Sequence, residues 1–423
     1  MTSKDFNAKY GVTEKLLEKI VLVKKTDNSL SSIAGRPKRQ LVEIFKRFVK
    51  NPVVLISLIV FLLVIVLSLI IPLTSPYKEV TPVESGLQSD YFRDLPPSFQ
   101  PIVTTTSNDF KTRYELYSNP NYQYHNFLKP FLERAKVERF DQLTPGRVIS
   151  TFRYDAYEWF RLDSLNIAIN AASRTQEITD QLVNQLAGNI KIPYTVLGSD
   201  QRGFDIWTNT WIGTWSSIRL ALIVSLIATF IGVTIGAALG YHAGKWIDTV
   251  FMRLIDIFTS PPTLIWILIL VSLFGYNDLA LGIILVITGW PSAVGGTRLF
   301  MIIVKDNEFI IASKSIGASK LRLIYNHALP AIIGKISSQF VRSIPANILT
   351  VAGLAFLGFF TNDSSANLGQ LLNTAANQIP ASLTASYNFW PILLPALILL
   401  FLSISLHFIA VGIHDALDPK IIR

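Results

Sequence analysis

Few residues in this chain of 423 amino acids have the types and spacing that chemistry requires. It contains no cysteine and 5 histidines, which excludes disulfides, thiolate metal sites and a cysteine nucleophile. No glycine-rich loop ending in Lys-Ser or Lys-Thr is present to bind nucleotide phosphates, and neither His-Glu-x-x-His nor Gly-x-Ser-x-Gly occurs. We therefore expect no catalytic residue, no metal and no cofactor on this chain, and we predict that it is not an enzyme.

The composition instead indicates a membrane protein. Half of the residues are hydrophobic and 16% are charged, whereas soluble proteins carry about 25% charged residues. The apolar residues form stretches long enough to cross about 30 Å of hydrocarbon. There are six of them, at 53–73, 218–241, 254–275, 279–300, 332–360 and 391–413. They predict an all-α membrane protein with six transmembrane helices.

Charge along the chain predicts its orientation. Residues 1–50 contain 12 Lys and Arg against 5 Asp and Glu, whereas residues 74–197 contain 13 against 14. Basic segments next to membrane spans stay in the cytoplasm, so we predict that both termini are cytoplasmic in a bacterial cytoplasmic membrane. The net charge of +9 is then a signal of topology and of contact with membrane lipid, and we expect no nucleic acid partner.

The spans divide the chain into four regions. Residues 1–50 are a tail that ends in an amphipathic elbow helix on the inner membrane surface, although a merely solvated basic segment is the alternative. Residues 51–73 are the first span, and residues 74–197 are an extracytoplasmic insert that forms an ordered lobe. We expect the lobe to be extended in its first part and helical in its second, with a capping box at Ser173 and Gln176. Residues 198–423 form a five-helix core.

The loop 305–330, between the fourth and fifth spans, is the candidate functional site. It has a helix-forming stretch, a break at Gly317 and a second stretch ended by Pro330. Gly317 tolerates the left-handed backbone of a tight turn. An ion-coupled carrier is disfavoured because Asp256 is the one acidic residue within the predicted spans, so a pump of this composition needs another subunit to supply energy. The loop could contact that subunit or be an ordinary amphipathic connection.

This loop resembles the cytoplasmic Glu-Ala-Ala loop of the membrane subunits of ATP-binding-cassette (ABC) importers. Ile311-Ala312-Ser313 occupy the Glu-Ala-Ala positions, Gly317 matches the glycine, and His327 stands where the pattern has isoleucine. The glutamate is replaced, but Glu308 lies one turn earlier. The resemblance implies a surface that couples the chain to ATPase subunits, formed by Glu308, Ala312, Ser313, Ser315, Gly317, Ala318, Leu329 and Pro330.

Further motifs resemble the C-type permease subunit of peptide and nickel ABC importers. They are LGSDQRGFDIW from Leu197, KWIDTVFMRLIDIFTSPP from Lys245, LAFLGF from Leu354, NLGQLL from Asn367 and HDALDPKIIR from His414. Phe204 stands where arginine is usual, and the resemblance does not cover the insert. It implies the type I importer architecture, with a second permease subunit, two cytoplasmic ATPase subunits that bind ATP and magnesium, and an external substrate-binding protein that delivers oligopeptide.

Two features of the spans lead to further predictions. Gly232, Gly236 and Gly240 recur every four residues, so we expect them to let another helix approach closely; lining the passage is the alternative. Arg342 could face the passage and meet a peptide carboxylate, or it could extend to the inner interface. A different class of function is also open, in which the chain is a membrane scaffold whose lobe binds a partner.

Overall fold

The computed structural model describes residues 40–77, 94–144, 147–200, 202–275, 277–358, 367–377 and 388–417. The chain divides into two compact units, Met1–Arg47 and Phe48–Arg423. Within the first unit, residues 40–47 are described, and they form the first part of helix α1 (Gln40–Lys50). A helix is thus present where the apolar spacing predicts the elbow. Its position on the inner membrane surface stays a prediction.

Helix α2 (Pro52–Thr74) is the first predicted span. The Asn51 side chain accepts a hydrogen bond from the Val53 backbone N–H at 3.0 Å, and Pro52 supplies the φ angle that a first helical turn needs. Its 23 residues are nearly all apolar and extend over about 35 Å. That length is sufficient to cross a bilayer.

The described part of the insert is a lobe with helices around one small sheet. Its elements are β1 (Ile102–Thr105), α3 (Asn108–Ser118), α4 (His125–Arg134), β2 (Glu138–Thr144), β3 (Arg147–Asp155), α5 (Ala156–Ala172) and α6 (Asp180–Asn189). The sheet is antiparallel with the order β1-β3-β2. Leu128, Phe152, Leu162 and Leu165 are fully buried in the lobe core. The lobe therefore has its own hydrophobic core.

Two expectations for the lobe need correction. The all-α class holds for the membrane part, but the lobe contains a sheet that the sequence analysis missed, because β2 and β3 are rich in charged and polar residues. The predicted capping box is also wrong: α5 ends before Ser173, whose hydroxyl donates to the Asn170 carbonyl at 2.9 Å. The next helix starts at Asp180, where Thr179 is the N-cap.

The remainder of the chain forms the permease core. Its elements are α7 (Ile206–Tyr241), α8 (Trp246–Thr259), α9 (Thr263–Phe274), α10 (Asp278–Val304), α11 (Glu308–Ser315), a π-helical segment (Arg322–Ala328), α12 (Leu329–Phe356), α13 (Leu368–Asn377) and α14 (Trp390–Leu417). Helix α7 is central and packs against α2, α10, α12, α13 and α14. We call the end of the bundle where α7 and α14 begin the lobe end, and the end where α7 and α10 finish the loop end.

The described residues include four helices that are long and apolar enough to cross a membrane, namely α2, α7, α10 and α14. The pair α8 and α9 gives a fifth if it is one span, but it is bent by 77°. The sequence predicted a continuous helix at 254–275; the helix breaks because Pro261 and Pro262 disrupt helical hydrogen bonding and backbone geometry. Helix α12 has 28 residues and packs against α7, α10 and α14. Its mean hydropathy is too low for it to count among these membrane-crossing helices, so the sixth span stays a prediction.

Candidate functional site

The candidate site begins where α10 ends at the loop end of the bundle. Helix α11 is followed by a tight turn in which Gly317 has φ = +87°, a conformation that favours glycine. The N–H of Ala318 donates to the Ser313 carbonyl at 3.1 Å, and the N–H of Gly317 donates to the Lys314 carbonyl at 3.0 Å. These bonds satisfy the last carbonyls of α11. The backbone is therefore turned sharply, in the way the sequence predicts.

One side of α11 is fixed in the protein core. Ile310 is 2% exposed and packs in a cluster with Leu323 and Ile324 of the π-helical segment. The same cluster contains Ala237 of α7 and Met301 of α10. Burying an isoleucine side chain stabilises such a contact by about 1.5–3 kcal/mol. The short helix is thus anchored to three elements of the bundle.

The opposite side of α11 and its turn is apolar and exposed. Ile316 is 87% exposed and Leu321 is 70% exposed, and Phe309 and Ile311 are also exposed. Apolar side chains that cluster on a surface commonly mark a contact with another protein. We call these four residues the loop surface.

The site residues that the sequence predicts lie beside the loop surface along the chain but are not part of it. Glu308, Ala312 and Ser315 are exposed, and Ser313 and Ala318 are half-buried. The hydroxyls of Ser313 and Ser315 donate to carbonyls one turn earlier, at 2.8 and 3.0 Å. Their proton-donating capacity is thus satisfied within α11, while their side chains remain near the surface.

The sequence predicts that the second helical stretch ends at Pro330, but in the structure it continues. The π-helical segment continues directly into α12, and Leu329 and Pro330 stand in the first turn of that helix. Pro330 has no N–H to donate to the preceding turn, and it stands where the π-helical segment changes to α-helix. The loop surface is therefore connected to α12 through a short helical segment. Segments of π-helix recur at functional sites.

The glycines of α7 lie against α10. A β-carbon added to Gly236 would stand 2.7 Å from the Val294 carbonyl oxygen, and one added to Gly240 would stand 2.6 Å from the Arg298 carbonyl oxygen. Gly232 is equally close to Trp290. Distances this short leave no room for a side chain. The three residues thus lie at the contact between α7 and α10, and not on an open surface.

Arg298 is a charged residue that the sequence analysis overlooked. Its guanidinium lies within α10 and binds the carboxylate of Asp248 on α8. The signal in the sequence is a single arginine near the end of an apolar stretch. The Asp248 carboxylate also accepts the Gly244 N–H at 3.2 Å. The pair links the α7–α8 turn to α10, whose last residues lead into α11.

Arg342 lies near the middle of α12 with an exposed side chain. Lys335, Ala346, Leu349 and Gly353 are exposed on the same helix at intervals of three, four or seven residues, which places them on one face. Arg342 is twelve residues beyond Pro330, which is about 18 Å along the helix from the loop end. Arg342 is therefore not brought together with the loop surface.

The motif that starts at Leu197 forms the turn into α7. The Asp200 carboxylate accepts the backbone N–H groups of Arg202 and Phe204, both at 2.9 Å. The Arg202 guanidinium lies 4.8 Å from the centre of the Phe204 ring. Phe204, which stands where the related motif has arginine, thus contacts a neighbouring arginine.

Comparison with known proteins shows which families this chain matches. Residues 232–423 match the family described as binding-protein-dependent transport system inner membrane component. Residues 39–97 match the N-terminal transmembrane domain of oligopeptide transport permease C. The chain is 29% identical over 412 residues to the oligopeptide transport system permease protein OppC of Mycoplasma pneumoniae, with 96% of each chain covered.

A second relative is the dipeptide transport system permease protein DppC of Bacillus subtilis, which is 31% identical over 226 residues. That alignment covers 53% of this chain and 69% of the relative. OppC of Escherichia coli is 32% identical over 178 residues, or 42% of this chain and 57% of that protein. The alignment with the Mycoplasma protein is long enough to include the lobe. The chain belongs to the family of membrane permease subunits of peptide ABC importers.

Proposed function

We propose that this permease imports oligopeptides by alternating access, driven by ATP hydrolysis on two separate cytoplasmic ATPase subunits. A second permease subunit forms the other half of the passage, and an external binding protein delivers the peptide. ATP and magnesium bind the ATPase subunits, and this chain binds neither. Both termini and the loop end face the cytoplasm. The relatives are named as oligopeptide and dipeptide permeases, which supports peptide as the substrate.

The observation that carries this proposal is that α11 is buried on one side while the turn that follows it is exposed and apolar. Ile310 anchors the helix in the core, while Ile316 and Leu321 present apolar surface to the outside. The free energy falls when a partner covers an exposed apolar group. The anchored side ensures that a force on the loop surface is passed to the bundle.

The path of that force is short. Ile310 contacts the π-helical segment, and this segment is continuous with α12. When the ATPase dimer closes, it draws the loop 305–330 of this chain towards the corresponding loop of the second permease subunit. Helix α12 then moves with α11, because both are helical and packed together. Rigid-body rocking of helices is a common form of such transitions.

Cross-linking and substitution at the turn test the proposal. A cross-linker at Ser315 should capture an ATPase subunit. Gly317→Pro and Gly317→Trp should uncouple transport from ATP hydrolysis while the complex still reaches the membrane. Gly244→Trp is the matched control, because Gly244 has a similar φ of +84° and equally open surroundings. Normal peptide uptake by the Gly317 variants, or no capture at Ser315, would contradict the proposal.

We also propose that Arg342 lines the passage. The exposed face of α12 carries Lys335 and Arg342, and a cation inside a bilayer normally faces water or a partner. A peptide carboxylate is the complementary group. Arg342→Gln should reduce uptake of peptides with a free carboxyl terminus more than uptake of their amides, with Arg342→Lys intermediate. Equal effects on both peptides, with normal assembly, would instead indicate an arginine that extends to the inner interface.

A further inference from the structure

Two exposed aromatic residues stand at the base of the lobe, where it joins the permease core. Phe99 and Tyr194 are each 63% exposed. They lie next to the backbone hydrogen bond that the Ser98 N–H donates to the Thr195 carbonyl, so the two rings belong to one small surface. We call Phe99 and Tyr194 the base aromatics.

Contacts with neighbouring residues fix the position of both rings. The Tyr194 ring stacks on Tyr157, with 5.6 Å between the ring centres, and Tyr157 is buried. The Tyr194 carbonyl accepts a bond from the hydroxyl of Tyr77, which follows α2, at 3.2 Å. Phe99 meets the first residue of α14, Trp390, edge to face at 6.4 Å. The base aromatics are therefore held at the lobe ends of α2 and α14.

The lengths of these two helices give the depth of the base aromatics in the membrane. Helices α2 and α14 pack together, and a β-carbon added to Gly412 of α14 would stand 2.5 Å from Val54, near the start of α2. At 1.5 Å per residue, Leu73 lies about 28 Å and Trp390 about 33 Å from this level. The hydrocarbon layer is about 30 Å thick. The base aromatics thus lie where hydrocarbon gives way to lipid headgroups.

The adjoining surface of α2 is apolar along the whole helix. Its exposed apolar side chains extend from Val53 to Leu73, which is 84% exposed. A helix that exposes apolar side chains over the full thickness of a bilayer faces lipid tails. Tyr77 connects the end of this helix to Tyr194. The base aromatics therefore continue a surface that faces lipid.

The base also lacks charge. Residues 95–101 and 192–199 contain no Asp, Glu, Lys or Arg, whereas residues 138–155, which form β2, β3 and their turn, contain six. Charged groups are costly near hydrocarbon, and aromatic rings are favoured at the membrane–water interface. We propose that Phe99 and Tyr194 insert into the lipid headgroup layer and fix the base of the lobe to the membrane surface. This contact does not depend on the transport mechanism.

Phe140 on β2 provides an internal comparison, because it is an exposed aromatic residue of the same lobe. Strand β3 reaches the base at Asp155, next to the bond that the Ala156 N–H donates to the Pro101 carbonyl. Phe140 pairs with Thr151 of β3. Four residues of strand separate Thr151 from Asp155, which places Phe140 about 13 Å along the sheet from the base.

Spin labelling of the permease, assembled with cysteine-free companion subunits in phosphatidylcholine vesicles, tests the contact. The chain contains no cysteine, so Phe99→Cys and Tyr194→Cys each carry one nitroxide. Collisions with oxygen, which concentrates in lipid, are compared with collisions with a nickel chelate, which stays in water. Ile59→Cys on α2 is the lipid reference, and Phe140→Cys is the water reference. The oxygen-to-nickel ratio at both base positions should lie between the two references, well above that at Phe140.

A ratio at the base positions equal to that at Phe140 would overturn the proposal, because the base would then stand in water. Few collisions with either reagent would also overturn it, since another protein would then cover the base. If a cysteine variant does not assemble, wild type can be illuminated in phosphatidylcholine that carries a diazirine near the glycerol. Lipid adducts should form in residues 95–101 and 192–199 and not in 138–155. Adducts in α2 without any at the base would contradict the contact.

Discussion

The guanidinium of Arg298 on α10 donates two hydrogen bonds to the carboxylate of Asp248 on α8. The distances are 2.6 Å from Nε to Oδ1 and 2.7 Å from Nη2 to Oδ2. Two parallel bonds of this kind fix both distance and orientation. Together with the packing of Ile255 against Leu239 and Val294, the pair holds α8 beside the part of α10 that leads to the loop surface.

We predict that Asp248→Ala strongly destabilises the permease. Asp248 is 3% exposed, but the Arg298 side chain that would be left unpaired is 28% exposed; because water partly compensates its charge, we expect a cost of about 1–3 kcal/mol. The double variant Asp248→Ala/Arg298→Ala should lose less than the sum of the single changes. Thermal unfolding of the purified complex measures both effects. Additive losses would show that the two charges do not stabilise each other.

The exposed pair Arg253 and Asp256 on the same helix is the control. Their closest charged atoms are 4.0 Å apart and both side chains are exposed. Exposed pairs contribute at most about 1 kcal/mol. Asp256→Ala should therefore leave the unfolding midpoint nearly unchanged.

Substitution of Gly236 should separate α7 from α10. A β-carbon there would meet the Val294 carbonyl oxygen at 2.7 Å, and backbone cannot move as a side chain can. We expect Gly236→Ala to destabilise the bundle by about 1–3 kcal/mol. Gly295→Ala is the control on the facing helix, since nothing lies within 4 Å of its added β-carbon. A similar unfolding midpoint for both variants would contradict close packing at Gly236.

The buried side of α11 and the exposed turn that follows it should respond differently when an isoleucine is shortened. Ile316→Ser changes an exposed residue, so it should weaken co-purification of the ATPase subunits with little effect on thermal stability. Ile310→Ala removes a buried side chain, and it should cost about 2–4 kcal/mol of stability. Quantitative pull-down and thermal unfolding distinguish the two effects. Full ATPase recovery with Ile316→Ser would argue against the loop surface as the contact.

Asp163 in the lobe should make stability depend on pH. Its carboxylate accepts a bond from Arg113 at 2.9 Å and another from the Tyr117 hydroxyl, yet burial raises its pKa above the ordinary value of 3.8. A carboxyl with a raised folded pKa contributes stability below the unfolded pKa, and this contribution is lost as the pH rises through the folded pKa. Wild type should therefore lose stability relative to Asp163→Asn as the pH rises from 3.8.

Resistance of the lobe to protease in the intact permease gives that comparison. Each pH is tested with both proteins, so the pH dependence of the protease cancels. If wild type instead became more stable relative to Asp163→Asn as the pH rose, the attraction between Arg113 and the Asp163 carboxylate would outweigh the cost of burying that charge.

The lobe is attached to the core by a short backbone pairing, which permits a clean removal. Ser98 N–H donates to the Thr195 carbonyl at 3.1 Å, and Ser199 N–H donates to the Leu95 carbonyl at 3.1 Å. A short Gly-Ser turn can therefore replace residues 99–194. If the lobe docks the binding protein, this variant should assemble and keep basal ATPase activity but bind that protein more weakly. Unchanged affinity and uptake would contradict the docking role.

Local pattern predicted most of the membrane part of the fold, but not the bend between α8 and α9. Apolar stretches located the spans because helix length and bilayer thickness are fixed physical quantities. Gly317 marked its turn because glycine alone adopts φ = +87° at low cost. The lobe sheet was missed because β2 and β3 gain their stability from β1 and from the surrounding helices, and contacts distant in sequence leave little local pattern.

The sequence by itself thus determined the membrane class, most of the helices, the glycine turn and the family resemblance, because each depends on neighbouring residues or on a fixed order of motifs. Only the tertiary structure decided that Arg298 binds Asp248, fifty positions away. It also decided which side of α11 is buried. These relationships depend on which helices become neighbours, and that choice is made by packing over the whole bundle.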